Sequence, residues 1–513
     1  MTSQIDYVLN GIPLRGDGQA VSIASGANPF APRSAGGTTY KDFSIWSVWD
    51  AQNWQAGGMK VNPADGGYLY AEAETRLPGR ITLPPKKSAA PVPSPSATTS
   101  DYAHFAETQT STWMGYGNVL YRWDEPNKTW STQATYAYAI TDIAEFAGRI
   151  FVAFGDTTEL ISIDPTSLVE VTETPRADLI VPFGGLLYIS SLNTISYTNY
   201  EVAITWEGPI RVAGDNVTGM AGVMNGSIAE QIMYIATGTT LYALLAGDVV
   251  LEVSKWPGNN ADNGRGMVSH MGDVYVPVGR SMMRITASGD LIPMGPDLGA
   301  GLPRERDGHN VGCVSTLTFM YSLVSPLDVG NGESPSVWAW SGEGWHQVMS
   351  GYGNKKGRGL FYSRLYSYMF LMHEDGSCLR IYMPDDSTAM RRGDNMRYES
   401  TGLLDTGHYF GDLREVSKLW GDITIHGCFP ANTSVSIYYT IATDDVMCGA
   451  NWSTSDETWT LLATVTSTDT QVPFASVGAN QIRFKLVLST TSETASPLIT
   501  AIVVRYIPRI VQQ

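Results

Sequence analysis

Charged residues make up only 16% of this 513-residue chain, where ordinary globular proteins carry roughly 25%. Basic residues are the scarcer kind: 33 Lys and Arg stand against 50 Asp and Glu, a formal net charge of −17. Nucleic acid is therefore not an expected partner, because phosphate binding needs Lys and Arg to release counterions. An anionic membrane surface is disfavoured on the same ground. Cysteine is also sparse. Cys313, Cys378, Cys428 and Cys448 form no CxxC pair and no Cys/His metal spacing. Cys428 and Cys448 are close enough in sequence to meet across strands of one domain, but scattered buried thiols are the simpler expectation. No apolar run reaches the roughly 18 residues of a membrane-spanning helix. The start, Met1-Thr2-Ser3-Gln4-Ile5-Asp6, lacks a basic stretch followed by an apolar core. The expectation is a protein made in a cytoplasm and kept soluble, with no membrane insertion.

Catalytic signatures are missing too. The chain has no HExxH, no Gly-x-Ser-x-Gly and no Gly-rich loop ending in Lys-Ser/Thr. Seven histidines, at 104, 270, 309, 346, 373, 408 and 426, never stand four residues apart. No cofactor and no metal are expected, and the chain reads as a non-enzyme.

What the chain has in abundance is glycine (52 residues), aromatic side chains (11%) and a recurring strand pattern. A glycine-bearing turn leads into an apolar strand, a tight polar turn, and a second strand carrying a hydrophobic quartet. The quartets are Leu120-Tyr121-Arg122-Trp123, Glu159-Leu160-Ile161-Ser162, Thr194-Ile195-Ser196-Tyr197 and Thr240-Leu241-Tyr242-Ala243. They continue as Met282-Met283-Arg284-Ile285, Val337-Trp338-Ala339-Trp340 and Leu379-Arg380-Ile381-Tyr382. Successive starts are offset by 39, 35, 46, 42, 55 and 42 residues. A period near 40, room for four short strands, is the mark of β-propeller blades. The strand before each quartet is nearly continuous in apolar residues, as in Arg149-Ile150-Phe151-Val152-Ala153 and Tyr368-Met369-Phe370-Leu371-Met372. Such runs suit strands covered on both faces. Six or seven blades fit the pattern; two stacked sandwiches with accidental spacing are the competing architecture.

Around 150 residues per domain predicts about three domains. Residues 1–83 are Gly-rich, with Trp46, Trp49 and Trp54 clustered, and read as an N-terminal anchor or assembly region. Residues 84–100 are rich in Pro, Ser and Ala, lack apolar residues to bury, and read as a linker. The propeller is assigned to 101–395. Residues 396–513 change to Ser/Thr-rich strands with clean alternation. Ile482, Phe484, Leu486 and Leu488 share one face while Arg483 and Lys485 take the other. That period of two predicts a jelly-roll-like β-sandwich, and the chain as a whole is expected to be all-β.

The final stretch also carries a family likeness. Lys418-Leu419-Trp420-Gly421-Asp422-Ile423-Thr424-Ile425, Glu457-Thr458-Trp459-Thr460-Leu461-Leu462 and Ser496-Pro497-Leu498-Ile499-Thr500-Ala501-Ile502 resemble the C-terminal module of tailed-bacteriophage minor tail or tail-associated virion proteins. The N-terminal stretch through Ala73-Glu74-Thr75-Arg76-Leu77-Pro78-Gly79 resembles the opening of the same kind of protein. The resemblance implies a structural virion protein. Its expected partners are other tail or neck proteins and a host surface glycan or protein, met in several symmetric copies. A purely structural role without a receptor, and an envelope-glycan depolymerase, are the alternatives.

Two groups of residues are candidates for that work. Trp46, Trp49 and Trp54 either form a small core or bury themselves in a neighbouring subunit, where Trp is a favoured anchor. Asp444, Asp445, Asn451 and Trp452 combine an aromatic with carboxylates and an amide, the composition of a sugar-binding surface; a turn with Trp452 tucked against the sandwich is the plainer reading. Trp459, alternating with Leu461, is expected in the core. Glu343 and Asp375 are the loop carboxylates a depolymerase would draw on. The tripeptides Arg15-Gly16-Asp17 and Arg392-Gly393-Asp394 are expected by chance in polar Gly-rich turns.

Overall fold

The computed structural model describes residues 7–9, 12–14, 45–50, 58–59, 67–77, 79–93, 102–199, 205–212, 214–224, 231–296, 302–330, 332–384, 396–409, 417–441, 453–454 and 458–508. Its elements are almost all strands, and they group into two compact units. One comprises residues 87–340 and 349–395, the other 1–86, 341–348 and 396–513.

The first unit is a propeller of seven four-stranded antiparallel sheets. The innermost strands are Ala103–Glu107, Asp142–Phe146, Leu179–Phe183, Val217–Met224, Val268–His270, His309–Ser315 and Gly357–Ser363. Each touches the innermost strand of the next blade, and the last returns to the first, so the ring is closed. All seven quartets lie on the third strand of a blade, from Val119–Asp124 to Cys378–Tyr382. The strand ahead of each is the second, and in Met320–Ser325 and Tyr368–His373 every residue is buried. Outermost strands are more varied: Val249–Lys255 has no buried residue, whereas Trp345–Ser350 is buried at all but its last position. The burial of the second strands follows from the architecture, since neighbouring blades sandwich the middle of a sheet. Crowding near the axis demands small residues. A Cβ on Gly222 would stand 2.2 Å from the Phe183 ring, and one on Gly359 would stand 2.8 Å from the Ala103 Cβ where the seventh blade meets the first.

The seventh blade corrects the expected linker. Its first three strands come from residues 357–382, but its outer strand is Lys87–Ala89, paired antiparallel as Lys87↔Ile381, Ser88↔Arg380 and Ala89↔Leu379. Ala90 follows into full burial, and its N–H donates to the Cys378 carbonyl (2.8 Å). Pro91 is held as well, its carbonyl accepting from the Trp130 N–H (2.9 Å). The extended preference of a Pro/Ser/Ala stretch, read as a tether, suits an edge strand equally well. Residues 94–100 lie outside the described residues.

The second unit is a β-sandwich. One sheet orders Ile45–Asp50, Leu498–Pro508, Lys418–Cys428 and Gln471–Ala479; the other orders Thr460–Val465, Thr433–Thr440, Arg483–Thr490, Thr401–Asp405 and Tyr70–Ala71. The predicted alternation is exact in outcome: Ile482, Phe484, Leu486 and Leu488 are wholly buried. Arg483, on the other face, is buried too, its Nε and Nη2 donating to Asp405 Oδ1 (2.7 Å) and Oδ2 (2.5 Å). A tilted cluster of Tyr409, Trp420 and Tyr506 fills one part of the core.

The reading of residues 1–83 as a separate anchor is corrected here. Ile45–Asp50 pairs along Leu498–Pro508, setting Trp46 opposite Arg505 and Trp49 opposite Ile502 in the ladder. Tyr68, Ala71, Ala73, Ile81 and Leu83 lie in the sandwich core. These segments supply edge strands and apolar cover that residues 396–513 alone lack. Trp459 is a second correction. It is only half-buried, with Arg483 and Lys485 over its ring at 5.0 and 5.3 Å, and Leu461 is 53% exposed. Alternation places the pair on one face, and that face is the outer one of an edge strand. Cys378 matches the buried-thiol expectation, while Cys313 is half-buried; desolvation pushes both thiols up to about 12. Cys428 is exposed and free, and Cys448 lies outside the described residues.

Candidate functional site

Because the seven innermost strands run in the same sense around the ring, their first residues surround one end of the central channel. Tyr102 immediately precedes the first of them. Its phenol donates to Asp262 Oδ1 (2.9 Å), in the segment leading into the fifth blade. The side chain therefore links the start of the first blade to the segment that leads into the fifth.

Two guanidinium groups stack on the same ring. The Arg265 Cζ is 4.1 Å from the Tyr102 centroid and the Arg358 Cζ is 4.9 Å from it. Arg265 also donates from Nε to Asp262 Oδ1 (3.1 Å), so phenol and guanidinium share one carboxylate oxygen. Burial, then the Asp262 charge, raises the Tyr102 phenol above its ordinary value, while Arg265 and Arg358 oppose the shift. The hydroxyl thus remains protonated and committed to Asp262.

His309, the first residue of the sixth blade, stands beside this group. Its Nδ1 is 3.1 Å from Asn260 Nδ2, which can only donate, so Nδ1 is the acceptor and Nε2 carries the proton. Burial lowers the His309 pKa first; Asp262 and Asp307 raise it, and Arg280 and Lys356 lower it. The imidazole is neutral at physiological pH.

Buried amides hold the segment in place. Asn263 donates from Nδ2 to the carbonyls of Gly238 (2.9 Å) and Gly258 (3.0 Å) and accepts from Gly279 N–H (3.0 Å). It thereby ties the fourth blade to the fifth, one residue after Asp262 and two before Arg265. Asn310 does the same between the fifth and sixth blades, donating to the carbonyls of Arg280 (2.6 Å) and Ser281 (3.0 Å). Across the mouth, Asp142 joins three inner strands. Its Oδ1 lies 3.1 Å from His104 Nδ1, and its Oδ2 accepts from Ile180 N–H (2.8 Å). Satisfied groups of this kind fix geometry rather than perform chemistry.

The sequence-level candidates fare differently. Asp444, Asp445, Asn451, Trp452 and Trp54 lie outside the described residues, as do both Arg-Gly-Asp tripeptides. Trp46 and Trp49 are placed only by the strand pairing given above. Asp375 sits in the turn after the second strand of the seventh blade. Burial acts to raise its pKa, yet hydrogen bonds from Lys355 and Ser377 hold it at about 2. It is an ionised carboxylate bound to its neighbours and a poor proton donor. Among the described residues no three His, Cys, Asp or Glu side chains gather as metal ligands. The group around Tyr102 escaped sequence reasoning because residues 102, 262, 265, 309 and 358 share no local motif. The one usable signal is positional: Tyr102, His309 and Arg358 each stand within a residue of the start of an innermost strand.

Comparison with known proteins yields fold-level likeness. No family model matches the chain, and no curated protein matches it in sequence. Among solved structures, a chain of the mitotic checkpoint complex covers 59% of this chain and 95% of itself, at 11% identity and a TM-score of 0.46. The WD40 β-propeller domain of Doa1 covers 60% of this chain and 98% of itself, at 11% identity and a TM-score of 0.42. YCF48 bound to D1 peptide covers 59% and 98%, at 13% identity and a TM-score of 0.42. The Doa1 domain is described as a WD40 β-propeller; the all-β architecture of this chain, a seven-bladed propeller with a β-sandwich, is read from its own strand pairing.

Proposed function

We propose that this protein is a non-enzymatic binding and assembly component, and that its setting is the surface of a tailed-phage particle, associated with the tail and contributing to host attachment. The observation that carries the binding half is the channel mouth. Its side chains are arranged for recognition, with stacked guanidiniums, a tied phenol and a neutral imidazole, and none is paired as a nucleophile with its base. The virion setting rests on the sequence resemblance of the N- and C-terminal stretches. On this reading the chain is made in the host cytoplasm and built into the particle in symmetric copies beside other tail or neck proteins. Weak single contacts to a host glycan or protein then add through avidity.

Antibody labelling of intact particles, imaged by electron microscopy, tests the setting. Label at the distal tail is the expected result. Label on the head, neck or tube would replace attachment with a purely structural role, and particles that never carry label would remove the virion reading altogether. Incubation of purified protein with host polysaccharide checks the non-enzymatic half: release of soluble fragments would overturn it.

A further inference from the structure

We propose that the channel mouth binds an oxyanion, the carboxylate or phosphate group of a larger ligand, with Arg358 as the principal contact and Arg265 as its partner. Arg358 stacks on Tyr102, but among the described residues its guanidinium forms no ion pair and its buried Nε has no hydrogen-bond acceptor. A partly buried guanidinium without a carboxylate is unfavourable, because its lost hydration goes uncompensated. Among the described residues the Arg265 guanidinium commits only Nε, to Asp262, and its side chain is 30% exposed. The wider field points the same way. Among the described residues, the charges acting on Tyr102 and His309 include Arg265, paired with Asp262, and Arg280, paired with Asp307, which leaves Lys356 and Arg358 as the cations in excess. That local excess sits in a chain whose net charge is −17.

The stereochemistry favours an oxyanion over other anions. A guanidinium offers parallel N–H donors in a plane, which match the two oxygens of a carboxylate or phosphate. Stacking on Tyr102 fixes the plane of each guanidinium in advance, so little side-chain entropy remains to be lost on binding. Tyr102 itself spends its hydroxyl on Asp262 and serves as a platform rather than a ligand. This inference concerns the isolated propeller surface and stands or falls independently of the virion setting.

Titration calorimetry on the purified full-length protein at low salt tests it, using sodium glucuronate, inorganic phosphate and glucose as probes. Saturable binding of glucuronate or phosphate, and none of glucose, is expected. Preference for glucuronate would identify an acidic-sugar source, and preference for phosphate a phosphoryl source. Arg358→Gln should weaken binding about tenfold or more, the order expected for one charge-assisted contact, and Arg358→Lys should recover only part of it. Phenylglyoxal modification of the wild-type protein, read by mass spectrometry, needs no variant: the bound oxyanion should protect Arg358. The proposal is overturned if neither oxyanion binds, if glucose binds equally well, or if Arg358 is modified at the same rate with and without ligand.

Discussion

Lys418 shows how one side chain writes a pH dependence into the sandwich. It is wholly buried, its Nζ donates to the Asn480 carbonyl (2.9 Å), and desolvation pushes its pKa down to about 8. An unfolded lysine titrates near 10.4. Between about 8 and 10.4 the unfolded chain therefore holds a proton that the folded chain has released, and stability rises with pH across that window. Below pH 8 both states are protonated and the contribution is flat. Urea midpoints measured at pH 7.5 and 9.5 should increase more in the wild type than in Lys418→Met; equal increments would show that another group sets the slope. Burial also raises many phenols, Tyr234 and Tyr398 among them, but these are common to both proteins, so the difference between wild type and Lys418→Met isolates the lysine. At the same scale, the charges of Arg358 and Arg265 were visible in the sequence, but their shared ring was not.

At the scale of elements, the informative strand is Lys87–Ala89. The seventh blade has its fourth strand only if the chain supplies one, and here the completing strand comes from the other end of the propeller sequence. Such a strand locks the first and last blades together, as the hydrogen bonds of Ala90 and Pro91 illustrate. Ala90 packs among Trp130, Phe370 and Cys378, with no exposed surface. Placing a carboxylate there sets an unpaired charge in an apolar site. Ala90→Glu should destabilise the protein by about 2–4 kcal/mol, read as a lower urea midpoint. A variant as stable as the wild type would show that the closing strand contributes little. The third strands were legible because their pattern is local: turn residues, then a quartet, repeated. The fourth strand of the seventh blade was not, since its three residues look like linker until their partner 290 positions away is known.

For the whole molecule, the dominant sequence property is charge. With 50 acidic residues against 33 basic ones, the long-range field repels polyanions even though the channel mouth is locally cationic. Retention of duplex DNA on a filter at low salt should stay at background. Retention that falls steeply with added salt would reveal counterion release and a phosphate-binding surface that the composition argues against. A small oxyanion differs from a polyanion here, because it meets only the local field of the mouth within a screening length.

The sequence by itself determined what depends on near neighbours: strands rather than helices, a unit repeating about every 40 residues, the alternation of the sandwich and the acidic surface. Tertiary structure decided what depends on closure. Seven blades rather than six, the use of residues 87–89 as an outer strand, and the folding of residues 45–50 and 68–83 into the sandwich are all pairings across hundreds of positions. The channel mouth belongs to this second class. Tyr102, Asp262, Arg265 and Arg358 become neighbours only when the ring closes, because no periodicity in the chain encodes which blade stands opposite which.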